Sequence, residues 1–132
     1  MKSTVIAGVL VGLMLIVMSI NAIFINALAN DILNHVYSLP SDANDEIFSN
    51  DEKREQIKKS INELHYKWQK NEFAVSLTMP YSELERIKTA IDLMRSYFFN
   101  ENLSEYLAAR MRLINALERL KHNELPSIEN IL

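Results

Sequence analysis

The 132-residue chain has no cysteine, two glycines and three prolines. Without cysteine there is no disulfide framework, no thiol nucleophile and no thiolate zinc site, and the redox compartment stays open. Average usage would put roughly nine glycines in this length. The shortage excludes glycine-rich phosphate loops, collagen-like repeats and folds built on many tight hairpins. Both glycines, Gly8 and Gly12, fall in the first dozen residues. An excess of positive charge is also missing: 14 basic and 17 acidic residues leave a net charge of -3, so nucleic acid is not an expected partner. The length allows one small domain.

What the chain does have is a long apolar run. From Val5 to Ile25 only Ser19 and Asn21 carry polar side-chain groups, and no charge lies between Lys2 and Asp31. As a helix this stretch is about 31 Å long, enough to cross the hydrocarbon core of a bilayer. Lys and Arg next to a span are held on the cytoplasmic side. Lys2 precedes the run, and Asp31, Asp42, Asp45, Glu46 and Asp51 all come before the next basic residue, Lys53. The expectation is a single-pass protein of the cell membrane with a cytoplasmic N-terminus. Residues 1–29 are the anchor and residues 30–132 an extracytoplasmic domain. A cleaved secretory signal is the competing reading, because Ala27-Leu28-Ala29 is an A-x-A pattern. The apolar stretch exceeds the usual signal core of roughly 7–15 residues, which favours retention. Cleavage after Ala29 would instead release a secreted helical protein.

Gly8 and Gly12 form a G-x-x-x-G, which clears one helical stripe for close approach of a second membrane helix. They are the candidate membrane-helix contact. Asn21, Asn26 and Asn30 continue at four- to five-residue spacing as a polar edge at headgroup level, read as interfacial solvation.

Beyond the run, Leu28, Ile32, Leu33 and Val36 extend the helix to about Leu39, before Pro40. Residues 40–50 read as a polar connection. Ser49 with Glu52 has capping-box spacing and predicts a helix from about Asn50. Its stripe is Ile57, Ile61, Leu64 and Trp68, running on toward Met79 with a candidate break at Asn71-Glu72. Ser82 with Glu85 repeats the signature, and Leu84, Ile87, Ile91, Met94 and Phe98 predict a helix over 82–99. Asn102, with Glu105 at its third position, caps a last helix carrying Leu103, Tyr106, Leu113, Leu117 and Leu120 to about His122. The tail Ser127–Leu132, past Pro126, is expected to add a turn against the bundle. With no glycine outside the run, Asn71, Asn100 and Asn123 are expected to close helices in left-handed conformation. The fold class that follows is all-α: an N-terminal transmembrane helix continuing into an antiparallel up-and-down bundle, with the C-terminus returning toward the membrane.

The N-terminal membrane helix, Lys67-Trp68-Gln69-Lys70-Asn71, Ser82-Glu83-Leu84-Glu85-Arg86-Ile87 leading to Arg95-Ser96-Tyr97-Phe98, and the terminal Ser127–Leu132 together resemble a family of unknown function. Its members are short, single-anchor, all-helical extracytoplasmic proteins of spore-forming Gram-positive bacteria. The resemblance covers nearly the whole chain and implies architecture, with no catalytic or binding residues to carry over. Some members look to be encoded beside a multi-pass membrane protein, which implies a membrane partner. This chain departs from the family pattern in its longer polar connection around residues 40–50.

Residues with reactive side chains are scattered. His35, His65 and His122 stand far apart, and Asp42-Ala43-Asn44-Asp45-Glu46 lacks the glycine and distant glutamate of a calcium loop. No metal and no cofactor are therefore expected. Trp68 is in register with a core stripe. Arg110 interrupts the last helix's apolar side, either pairing with Asp92 or Glu105 or snorkelling at the bundle edge. The cations from Lys53 to Lys70 are interleaved with acids and read as a solvated face. Only Phe98 of Tyr97-Phe98-Phe99 fits its stripe, so Tyr97 and Phe99 are the candidate partner surface. The reading is a non-catalytic interaction or scaffold protein whose partners are the lipid bilayer and another membrane protein or itself. A small-ligand-binding or sensor-like bundle is the alternative, although residues 1–3 are not expected to supply an output domain.

Overall fold

The computed structural model describes residues 1–42, 46–77 and 79–124, the side chains of 122–124 excepted. Five helices occur among the described residues: α1 (Lys2–Tyr37), α2 (Glu46–Ser49), α3 (Asp51–Ser76), α4 (Tyr81–Phe99) and α5 (Leu103–Glu124). No strand occurs among them.

The long helices alternate in direction. His35 Nε2 and Ser60 Oγ lie 2.9 Å apart, and Lys67 Nζ reaches Asp31 Oδ2 at 3.1 Å, so α3 runs back along α1. Arg95 donates to Asn62 at 2.8 Å and His65 meets Asp92 at 3.3 Å, which sets α4 antiparallel to α3. The edge-on contact of Phe98 with Tyr106 and the approach of Arg119 to Glu83 do the same for α5 on α4. Lys121 donates to Asn30 at 3.2 Å and Tyr106 Oη donates to the Pro40 carbonyl at 3.0 Å, closing α5 onto α1. Each long helix therefore packs on two neighbours in the ring α1-α3-α4-α5.

The core is what the stripes require. Ile57, Ile61, Leu64 and Trp68 of α3 are buried, as are Leu84, Ile87, Ile91, Met94 and Phe98 of α4 and Tyr106, Leu113 and Leu117 of α5. Their burial removes roughly 1.5–3 kcal/mol of apolar exposure per large side chain. The wall from α1 is Ile25, Leu28, Ala29, Ile32, Leu33 and Val36. The packed part thus begins at Ile25, ahead of the Asn30 start drawn from the sequence, and the exposed apolar part is Val5–Phe24.

Helix ends differ from the sequence expectations at several points. The cap of α3 is Asn50, whose side chain accepts from the Lys53 N–H at 3.1 Å. Ser49 instead donates to the Glu46 carbonyl, because it closes the one-turn α2 that sits inside the polar connection. α4 starts at Tyr81 behind Pro80, with no side-chain cap, so Ser82 lies inside the helix. Asn71 does not break α3; its amide donates to the Lys67 carbonyl and the helix continues to Ser76. Asn123 lies within α5, and Asn100 has φ -92. The left-handed residue is Glu101, φ 58. Its N–H bonds the Phe98 carbonyl, and the Asn102 N–H bonds that of Tyr97, the paired pattern of a Schellman turn. Asn102 caps α5 as expected, accepting from the Glu105 N–H at 3.2 Å. The tail Ser127–Leu132 and residues 43–45 lie outside the described residues.

Candidate functional site

α1 has two unlike parts on one unbroken helix. From Val5 to Ile23 every large apolar side chain is more than half exposed, whereas from Ile25 onward one face is core. The exposed stretch Val5–Phe24 is about 30 Å of helix, the thickness of a hydrocarbon core. Gly8 and Gly12 lie on it, and a Cβ at either would meet nothing within 4 Å. Neither glycine is required by packing within the chain.

The asparagines are not a uniform water-facing edge. Asn30 Oδ1 accepts from Lys121, and Asn26 Oδ1 is buried with no donor against it among the described residues. These two amides belong to the α1 seam with the bundle.

Tyr97 and Phe99 are half-buried and pack on the core. The Phe99 ring is covered by two cations, Lys58 Nζ at 5.4 Å and Arg95 Cζ at 5.2 Å from its centroid. From Ile25 onward the large apolar residues that are openly exposed lie elsewhere: Tyr37, Tyr66, Phe73, Leu77, Tyr81 and Met111. The sequence signal for three of them is the uncharged run 73–82 at a turn, which stripe counting passes over because it scores only residues that point inward.

Arg110 is buried and has no carboxylate at ion-pair distance among the described residues. Asp92 pairs with His65 instead, and the Glu105 backbone is engaged by Asn102. The Arg110 charge acts on two phenols. Tyr106 is pushed well above the ordinary tyrosine value by burial, a shift that Arg110 opposes. Tyr37 is raised mainly by its hydrogen bond to Glu118. Trp68 is a core residue, its indole N–H without an acceptor among the described residues. An open groove of about 560 Å³ between α4 and α5 is lined by Arg86, Arg112, Arg119, Thr89, Leu93 and Asn115. Glu83 draws both Arg86, at 3.6 Å, and Arg119, at 4.0 Å, and Glu85 also lines the groove, so two carboxylates offset part of the charge of the three arginines. Among the described residues no three His, Asp or Glu side chains converge as a metal site. The side chain of His122 lies outside the description.

Together these features define an all-α protein with one helix long and apolar enough to cross a membrane, joined without interruption to a four-helix ring. Residues 23–131 match the domain of unknown function DUF4363, and the chain belongs to that family. No match was found among curated proteins or among solved structures. The matched region starts two residues before Ile25, where the packed core begins.

Proposed function

We propose that this is a single-pass protein of the cell membrane, N-terminus cytoplasmic and bundle outside, that works without catalysis as an interaction or scaffold partner of another membrane protein or of a second copy. The observation that carries the reading is the continuity of α1: its exposed apolar part and its core-forming part are one helix of 36 residues. The same feature supports retention of the anchor. Cleavage after Ala29 would remove Ile25, Leu28 and Ala29, all buried, from the bundle wall. Lys2 ahead of the span, with no further Lys or Arg before Lys53, supports the orientation. Gly8 and Gly12 are the part of the span fitted to a neighbouring helix.

The test is mild crosslinking in membranes at native expression, followed by intact-mass measurement. The expected result is a chain that retains residues 1–29 and carries a crosslinked membrane protein or a second copy. A mature form beginning at Asn30, or recovery of the uncrosslinked single chain alone, would sink the proposal.

A further inference from the structure

Beyond the apolar stretch of α1, from Ile25 onward, the three most exposed large apolar side chains are Phe73 at 76%, Tyr81 at 74% and Leu77 at 70%. All three sit at the α3–α4 turn, within the ten residues 73–82 that carry no charge, between Glu72 and Glu83. The turn is held in place rather than loosely attached. Val75, Met79 and Leu84 are buried beneath it, and the Met79 N–H bonds the Val75 carbonyl at 3.0 Å. The Pro80 carbonyl accepts from Glu83 and Leu84 to start α4. The exposed trio is thus the outer face of an anchored turn.

Its height along α1 follows from the cross-helix pairs. Asp31 meets Lys67, so equal rise on two antiparallel helices sets Ser76 opposite Ala22. His35 meets Ser60, which by the same count sets Phe73 opposite Ala22. Asn21 and Ala22 are half-buried there, between the exposed Ile20 and Ile23. That level is the outer end of Val5–Phe24. A span filling the hydrocarbon core with those residues brings the α3–α4 turn to the headgroup boundary, where aromatic and aliphatic side chains insert favourably.

Resting on the membrane-anchor reading above, we infer that Phe73, Leu77 and Tyr81 form a second membrane contact, inserted in the outer interface of the bilayer the anchor crosses. The bundle then stands on the membrane at two points, the span and this turn. The occupant is lipid because the patch is level with the end of the apolar span, and charge is missing where a water-facing turn would carry it.

The absence of cysteine allows single-site labelling of the full chain. Nitroxides at Leu77→Cys and Tyr81→Cys are compared in phosphatidylcholine/phosphatidylglycerol nanodiscs with Leu13→Cys in the span and Ser104→Cys at the opposite end. Accessibility to oxygen and to a water-soluble nickel chelate is read for each. The expected result is oxygen-rich, nickel-poor labels at Leu13, Leu77 and Tyr81, with nickel access several-fold below that at Ser104. Nickel access at Leu77 and Tyr81 equal to Ser104, with Leu13 in lipid, overturns the inference and leaves the anchor standing. Shielding of both turn labels from both reagents means cover by protein, a second copy or residues 125–132, and also overturns it. Nickel access at Leu13 removes the anchor and the inference together.

Discussion

The two turns that join α3 to α4 and α4 to α5 lie at opposite ends of the same bundle, and they differ in almost every chemical respect. The α4–α5 turn is Asn100-Glu101-Asn102: polar, exposed, closed by a Schellman pair and followed by an asparagine cap. The α3–α4 turn has no side-chain cap, starts its second helix behind Pro80, and presents Phe73, Leu77 and Tyr81 outward. Both join antiparallel helices of ordinary length, so topology does not explain the contrast. What differs is which end of α1 each accompanies: Pro40 and α2 at one end, the apolar stretch at the other. The membrane contact proposed above would account for the contrast, with the α3–α4 turn at the lipid interface and the α4–α5 turn in water.

The largest expected effect breaks the end that carries the apolar stretch of α1. In mild detergent, a chain beginning at Asn30 should be less stable than one beginning at Asn21 by about 4–6 kcal/mol, from losing Ile25, Leu28 and Ala29 as buried wall. Urea unfolding followed by circular dichroism reads this, and equal midpoints would show that α1 contributes nothing before Asn30. At the other end, Tyr106→Phe removes the phenol that donates to the Pro40 carbonyl, with a loss of about 1 kcal/mol at neutral pH. That loss should shrink in alkali. The folded phenol titrates above its unfolded value, so its contribution is complete below about pH 10 and declines as pH rises toward the folded value. Urea midpoints of both proteins at pH 8 and near pH 11 check the sign; a constant gap would contradict it. The smallest effect sharpens the polar turn: Glu101→Gly should stabilise by about 0.5 kcal/mol. It relieves a left-handed residue with a Cβ at the expense of an exposed 3.4 Å pairing with Arg54. A lower melting temperature for the glycine variant would mean the Arg54 contact outweighs backbone strain.

The helices and their buried faces were legible in the sequence because apolar periodicity is a local property. Ile57, Ile61, Leu64 and Trp68 could be assigned to one face without knowing what they touch. Helix ends were less legible. Ser49 and Ser82 have the right spacing for caps, yet Asn50, one residue on, and Pro80, two residues back, take those positions, since the first unpaired amides choose among neighbours by backbone geometry. The left-handed position fell to Glu101 rather than an asparagine, because the Schellman hydrogen bonds fix where the reversal occurs. The start of the bundle at Ile25 was hidden inside an apolar run, where exposed and core-facing side chains have the same composition. For the same reason the α3–α4 patch could not be read as a surface. Tyr97 and Phe99, read as surface because they miss the stripe, are half-buried through packing on the core and, for Phe99, the cations over its ring.

The unbroken α1 also sets an angular relation between span and bundle. Successive residues advance about 100° around a helix. The core face through Ile25, Ile32 and Val36 and the stripe through Gly8 and Gly12 then differ by roughly a quarter to a third of a turn. On the proposed anchor reading, a neighbouring membrane helix seated on those glycines would approach from the flank of the bundle, and any part of it beyond the bilayer on that side would rise alongside α1 rather than into the space that α3, α4 and α5 already fill.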